Sequence, residues 1–208
     1  MDRYLRSRGG ESDKECPLLE VENQGYVHYN KASVVMYYFR EMIGTVQVND
    51  ALKNLVDSFA YRDRPYPNSR ELLTRFEKAT PDSLKYLITD LFRKITIFNN
   101  RVSAAEYSQV KGGYQVKFTV SAEKMYADSL GREKPAPIRD WIEVGVFAKP
   151  VEGKKFGKAL HLEKVLFNER EKSFTMFTKE EPYQAGIDPY YYLVDRVPED
   201  NLKKLGSL

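Results

Sequence analysis

Cysteine is almost absent from this chain. Cys16 is the only one in 208 residues, so no disulfide forms within it and no thiolate zinc site can be built from it alone. It precedes Pro17 in a polar stretch without a nucleophile-activating neighbour, and reads as an inert thiol. Histidine is nearly as scarce. Neither His28 nor His161 has a second histidine three or four residues on, the spacing that puts two imidazoles on one helix face. No apolar run approaches the roughly 18 residues of a membrane-crossing helix. The opening MDRYLRSRGGESDKE is charged, with no apolar centre of the kind a signal peptide needs. The chain as it stands is therefore expected to be soluble. Charge of one sign is also lacking: 33 Lys and Arg against 30 Asp and Glu leave a formal net charge of +3. With bases and acids interleaved there is no electrostatic footprint for nucleic acid, and no nucleic-acid partner is expected.

What remains is the composition of a globular chain, 42% hydrophobic and 30% charged, long enough for one large domain or two small ones. The hydrophobic period changes once along it. Residues 1 to 24 are polar, with Gly9-Gly10 and Pro17, and read as an irregular arm. From Lys31 to Ile43, Val34, Val35, Tyr38, Phe39 and Met42 recur at helical spacing, with Gly44 as a stop. Thr45 is placed to cap a second helix carrying Val48, Leu52, Leu55, Val56 and Phe59 on one stripe. Pro65 and Pro67 break the pattern. Ser69 is then expected to cap a helix with Leu72, Leu73 and Phe76, and Thr80-Pro81 to open another with Leu84, Leu87, Ile88 and Leu91.

After about residue 97 the period becomes 2. Tyr114, Val116, Phe118 and Val120 alternate with polar residues behind the turn Lys111-Gly112-Gly113. Further strands are expected at Trp141 to Ala148, Ala159 to Phe167 and Ser173 to Lys179. The whole predicts an α+β chain: an N-terminal helical unit at 1–98, followed by an antiparallel β-sandwich at 99–208.

Few side chains suggest chemistry. His161 lies in a strand pattern and reads as structural, and no GxSxG elbow is present. His28, at the mouth of a helix, is a weak candidate for lining a site. Tyr29 follows it. A phenol can donate a hydrogen bond to a developing oxyanion, but among 15 tyrosines the residues alone make Tyr29 an ordinary amphipathic one. Tyr26, Tyr37 and Tyr38 read as helix-face packing, and Lys31 and Arg40 as solvated charges. In GIDPYYYLVD, Asp188-Pro189 reads as a turn that Asp188 holds through backbone N–H groups. The tyrosines after it read as packing, with a sugar-binding patch as the lesser alternative.

The segment YVHYNKASVVMYYFREMIG resembles the YxKG-plus-helix stretch of the gluzincin aminopeptidases, the aminopeptidase N family. More of the chain is similar to the end of bacterial membrane proteins that join ABC-2-type permease helices to such a domain. The motifs, in order, are YLRSR, PLLEVENQGYVHYNKAS, YPNSRELL, LITDLF, DWIEVGVF and AGIDPYYYLVDRVPEDN. The resemblance implies that Tyr29 matches the tyrosine that stabilises the tetrahedral intermediate over a catalytic zinc. In that family the metal is held by HExxH and a later Glu, with the HExxH Glu as general base. No HExxH occurs here, and Glu11, Glu15, Glu20 and Glu22 are not assigned to metal. Ala32 stands where the family has Gly after the lysine.

The expectation that follows is a fragment of a zinc-dependent aminopeptidase-like, membrane-associated parent. It would hold no cofactor itself and be inactive alone, with zinc, a peptide substrate and the remainder of the polypeptide belonging to the parent. The alternative is a non-catalytic interaction or scaffold module of a transport-associated membrane complex.

Overall fold

The computed structural model describes residues 1–11, 13–154 and 156–207, and its elements follow the two hydrophobic periods. Helical elements come first: α1 (Asp2–Gly10), a π-helical turn (Tyr26–Lys31) that runs directly into α2 (Ala32–Ile43), α3 (Thr45–Phe59), α4 (Ser69–Ala79), a 3-10 turn (Asp82–Leu84), α5 (Tyr86–Ile88) and a second π-helical turn (Thr89–Arg93). Strands follow: β1 (Ile95–Val110), β2 (Gly113–Ala127), β3 (Glu133–Ala136), β4 (Asp140–Phe147), β5 (Ala159–Phe167), β6 (Glu171–Thr178), β7 (Gln184–Ile187), β8 (Leu202–Lys204) and β9 (Gly206–Ser207). The chain is α+β, with an N-terminal helical part followed by β-sheets. It divides into two compact units. The first is Met1–Ile97 with Tyr126–Lys134 and Tyr192–Val194; the second is Phe98–Met125, Pro135–Tyr191 and Asp195–Leu208.

Two apolar centres stand out among the described residues of the helical unit. Phe39, Phe76 and Phe92, from α2, α4 and the second π-helical turn, form an aromatic triangle with ring centroids 5.1–5.7 Å apart. Tyr4, Tyr26, Val27 and Val194 make a separate buried cluster beside Leu5, Leu18, Val21 and Val34. That second cluster corrects the reading of residues 1 to 24 as irregular, because Tyr4 is fully buried and anchors α1. Periodicity misses a helix this short when its apolar side is essentially one aromatic residue.

Gly44 ends α2 as expected and does so at φ +104°, where an added Cβ would also strike the Gln47 side chain. Three caps differ from expectation. Thr45 is the first residue of α3 and makes no side-chain cap. Asn68, not Ser69, caps α4, accepting from the Arg70 N–H at 2.9 Å, while Ser69 donates to the Leu19 carbonyl. Thr80 closes α4 by donating to the Phe76 carbonyl at 2.6 Å rather than opening the next helix.

One sheet runs β3-β2-β1-β9, with β6 also paired to β2; the other runs β5-β4-β7-β8. Val116, Phe118, Val120 and Ala122 of β2 are buried at every second position, which is the period-2 pattern in three dimensions. The pairings of β4 with β5 and β7, of β7 with β8 and of β2 with β6 are antiparallel. A short parallel pair, β1 with β9, departs from the antiparallel scheme. The two sheets meet through the Phe167 and Phe174 rings and through a buried ion pair, Lys124 to Asp140, at 2.8 Å.

In the second unit Asp195 fastens the chain after β7 to β1. Its carboxylate accepts from the Asn100 and Val197 N–H groups, each at 3.1 Å. The Asn201 amide, turned with its nitrogen inward, donates to Asp195 and to the Asn100 carbonyl. Burial lifts the Asp195 carboxyl to about 6, which these donors only partly offset, and Asp200 adds to the rise. An acid raised on folding stabilises most at a pH below its unfolded value, and that contribution fades as pH climbs through about 6. The urea midpoint of the wild-type sheet unit should therefore fall, relative to Asp195→Asn, between about pH 4 and pH 7. Parallel pH profiles for the two proteins would refute it.

Candidate functional site

The surface around Tyr29 is built from the π-helical turn and the arm beside it. The Gln24 carbonyl starts the turn by accepting from both the Val27 N–H (2.9 Å) and the His28 N–H (3.0 Å). Tyr26 and Val27 sink into the apolar cluster, His28 is half-buried, and Tyr29 is 72% exposed. The His28 and Tyr29 rings lie against each other at 4.4 Å. The structure thus brings the two sequence candidates together on one outward-facing turn.

Lys31 corrects the sequence reading. It is 2% exposed, not a solvated charge. Its Nζ lies 3.4 Å from Glu15 Oε1 and 5.0 Å from the centroid of the Tyr4 ring. The same Glu15 oxygen accepts from the Tyr4 hydroxyl at 2.6 Å, and Oε2 accepts from Arg8 Nε at 2.6 Å. Arg8 reaches Glu133 as well, at 3.6 Å. Desolvation holds the Lys31 ammonium below its ordinary range against the opposing pull of Glu15. It also pushes the Tyr4 phenol upward and Tyr26 up to about 12, with Glu15 adding to both, so these two phenols stay protonated. Residues two apart on a helix do not share a face. With Lys31 drawn inward, Tyr29 is directed outward.

Of the other tyrosines read as packing, Tyr26 and Tyr38 are buried, whereas Tyr37 is half-exposed, with the Arg40 guanidinium over its ring and Tyr192 beside it. In GIDPYYYLVD, Asp188 occupies the turn at φ +41°, and its carbonyl accepts from the Tyr191 N–H. Tyr190 packs edge-on against Phe147 and Phe156, an arrangement of packing rather than of an open sugar platform. His161 is a partly exposed residue of β5 facing Glu163.

Among the described residues the helical unit carries a polar cleft and an apolar hollow. A cleft of about 270 Å³ is lined by Arg8, Glu11, Asp13, Glu15 and Tyr26 together with Ser129–Gly131. An apolar hollow of about 210 Å³ lies among Leu18, Ala32, Met36, Leu72 and Phe76. Neither includes His28 or Tyr29. Among the described residues no three His, Cys, Asp or Glu side chains converge to hold a metal. Among the described residues the side chains do not fit the zinc that the resemblance implies. Among the described residues no helix is long and apolar enough to cross a membrane.

In comparison with known proteins, no family profile matches the chain and no curated protein matches it.

Sequence reasoning missed Glu15, Gln24 and Lys31. Glu15 is one of four glutamates before Tyr29 that spacing does not tell apart, and Gln24 carries no sequence signal. The lysine two residues after Tyr29 was the available clue, since a basic residue set among Val27, Val34 and Val35 needs a buried acid if it turns inward.

Proposed function

We propose that this chain is the tyrosine-bearing part of a zinc-dependent, membrane-associated aminopeptidase-like protein, in which Tyr29 donates a hydrogen bond to the oxyanion formed during peptide hydrolysis. The observation that carries the reading is the pairing of an outward phenol at Tyr29 with an inward, ion-paired Lys31 on a π-helical turn. π-Helical turns inside helices are rare and frequent at functional sites. A phenol that packed only for stability would be turned toward the apolar cluster, as Tyr26 is. On this reading the metal, the general base and the peptide-binding groups come from other parts of the parent polypeptide, and the chain alone hydrolyses nothing.

Two measurements test it. Stoichiometric zinc on the purified chain, with chelator-sensitive aminopeptidase activity, would overturn the fragment reading. In the full-length parent, Tyr29→Phe should lower kcat roughly 100- to 1000-fold, the usual cost of one oxyanion donor, with zinc content unchanged. Wild-type turnover in that variant removes the assigned role.

A second reading, a non-catalytic interaction module, has its own support. Val46 and Val56 of α3 are 65% and 60% exposed, and Tyr61 and Tyr66 beyond it are also exposed. An HExxH with a later Glu in the parent favours the enzyme; a substituted motif there favours the module.

A further inference from the structure

We infer that Glu15 is a positioning residue for Tyr29: through Lys31 it holds the π-helical turn in the winding that points the phenol outward. This rests on the reading of Tyr29 given above and adds to it the device that fixes the group.

The turn Tyr26–Lys31 is six residues of π-helix with ordinary α-helix continuing after it. The Ala32 N–H donates to the Val27 carbonyl five residues back, the bond of the π winding, and such a winding persists where contacts outside the turn over-determine it. Both of its ends are tied to the same short piece of arm. At the start, the backbone carbonyl of Gln24 takes the Val27 and His28 N–H groups. The side chain of that same Gln24 brackets Glu15, accepting from the Cys16 N–H at 2.9 Å and donating to the Lys14 carbonyl at 2.7 Å. At the far end, Lys31 Nζ meets the Glu15 carboxylate.

Glu15 is itself immobilised. Its residue is 4% exposed, its N–H donates to the Ser129 carbonyl at 2.9 Å, and its two oxygens are engaged by Tyr4 and Arg8 as well as by Lys31. The Tyr4 ring, stacked on Tyr26 at 6.0 Å, closes the far side of the pair. Tyr29 lies between the two tied ends. If Lys31 lets go, the turn can rewind to α-helix, and losing one residue of bulge rotates the preceding side chains by about 100° around the axis. The phenol would leave its place while the core residues of α3 and α4 kept theirs.

The test uses amide exchange resolved by residue on this chain, with turnover in the full-length parent as a second readout. Glu15→Gln keeps the shape and the Tyr4 contact but removes the charge that holds Lys31. Exchange at residues 26–32 should accelerate about tenfold or more while amides of α3 and α4 retain their protection. Should Glu15→Gln fail to fold, Lys31→Met, which fills the same space without a charge, is expected to produce the same local change, and Lys31→Arg to restore protection. In the parent, both Glu15→Gln and Lys31→Met should lower kcat with KM little changed. Unchanged exchange in the turn, or an equal loss of protection across α3 and α4, overturns the inference, since the second pattern belongs to a purely structural residue. Failure of the underlying reading is distinguishable. There Tyr29→Phe would leave turnover intact while Glu15→Gln still loosened the turn.

Discussion

Replacing Phe39 with alanine is expected to destabilise the helical unit by about 3–5 kcal/mol. Phe39 is completely buried, and both its aromatic partners meet it edge to face, Phe76 at 5.1 Å and Phe92 at 5.4 Å. Truncation removes the transfer energy of the ring and leaves a cavity between α2 and α4 that neighbouring rings cannot collapse into without giving up their own contacts. Because the chain comprises two units, a single unfolding curve need not be two-state. Amide exchange resolved to α2, α4 and the second π-helical turn, alongside urea unfolding, reads the effect where it occurs. Phe39→Leu should cost clearly less. A loss below about 1 kcal/mol in the alanine variant would show that this triangle is not the unit's packing centre.

The second large effect is in the sheet unit. Lys124 of β2 and Asp140 of β4 form a 2.8 Å pair with both side chains at 4% exposure or less, and Asp140 also accepts from the Arg139 N–H. Removing Asp140 takes from the buried Lys124 ammonium the carboxylate 2.8 Å away, so Asp140→Ala should destabilise the unit by about 3–5 kcal/mol. Replacing both, as Lys124→Met with Asp140→Leu, should come out near neutral, because the desolvation cost of two ions disappears together with their attraction. Trp141, the only tryptophan, adjoins Asp140 and reports unfolding of β4 by its fluorescence. A double variant as unstable as Asp140→Ala would show that the pair gains more from attraction than burial costs it.

How far the sequence could be read depended on how local each cause was. The helix expected at Lys31 to Ile43 is α2 at Ala32–Ile43, and the strand expected at Ala159 to Phe167 is β5 itself. Both follow from periodicity, a property of adjacent residues. The first 24 residues hid α1, since one buried tyrosine makes no period. The early part of β1 was hidden too: its first four residues, Ile95 to Phe98, are all buried, Thr96 included, so burial there does not alternate with the period of a strand. Caps were displaced by one residue where two polar side chains stood together, as Asn68 and Ser69 do, because Ser69 turns to a carbonyl 50 residues away.

The candidate site divides in the same way. By itself, the sequence determined an α+β chain, the helix behind Tyr29, the glycine that stops it and the near absence of cysteine and histidine. Only the tertiary structure decided that Lys31 turns inward, that Tyr29 therefore turns out, and that Glu15 and Gln24 hold the turn between them. The physical reason is separation along the chain. Lys31 meets Glu15 across 16 residues and Glu15 meets the Ser129 carbonyl across a far longer stretch of chain, and no pattern of neighbours encodes a partner that only folding brings within reach.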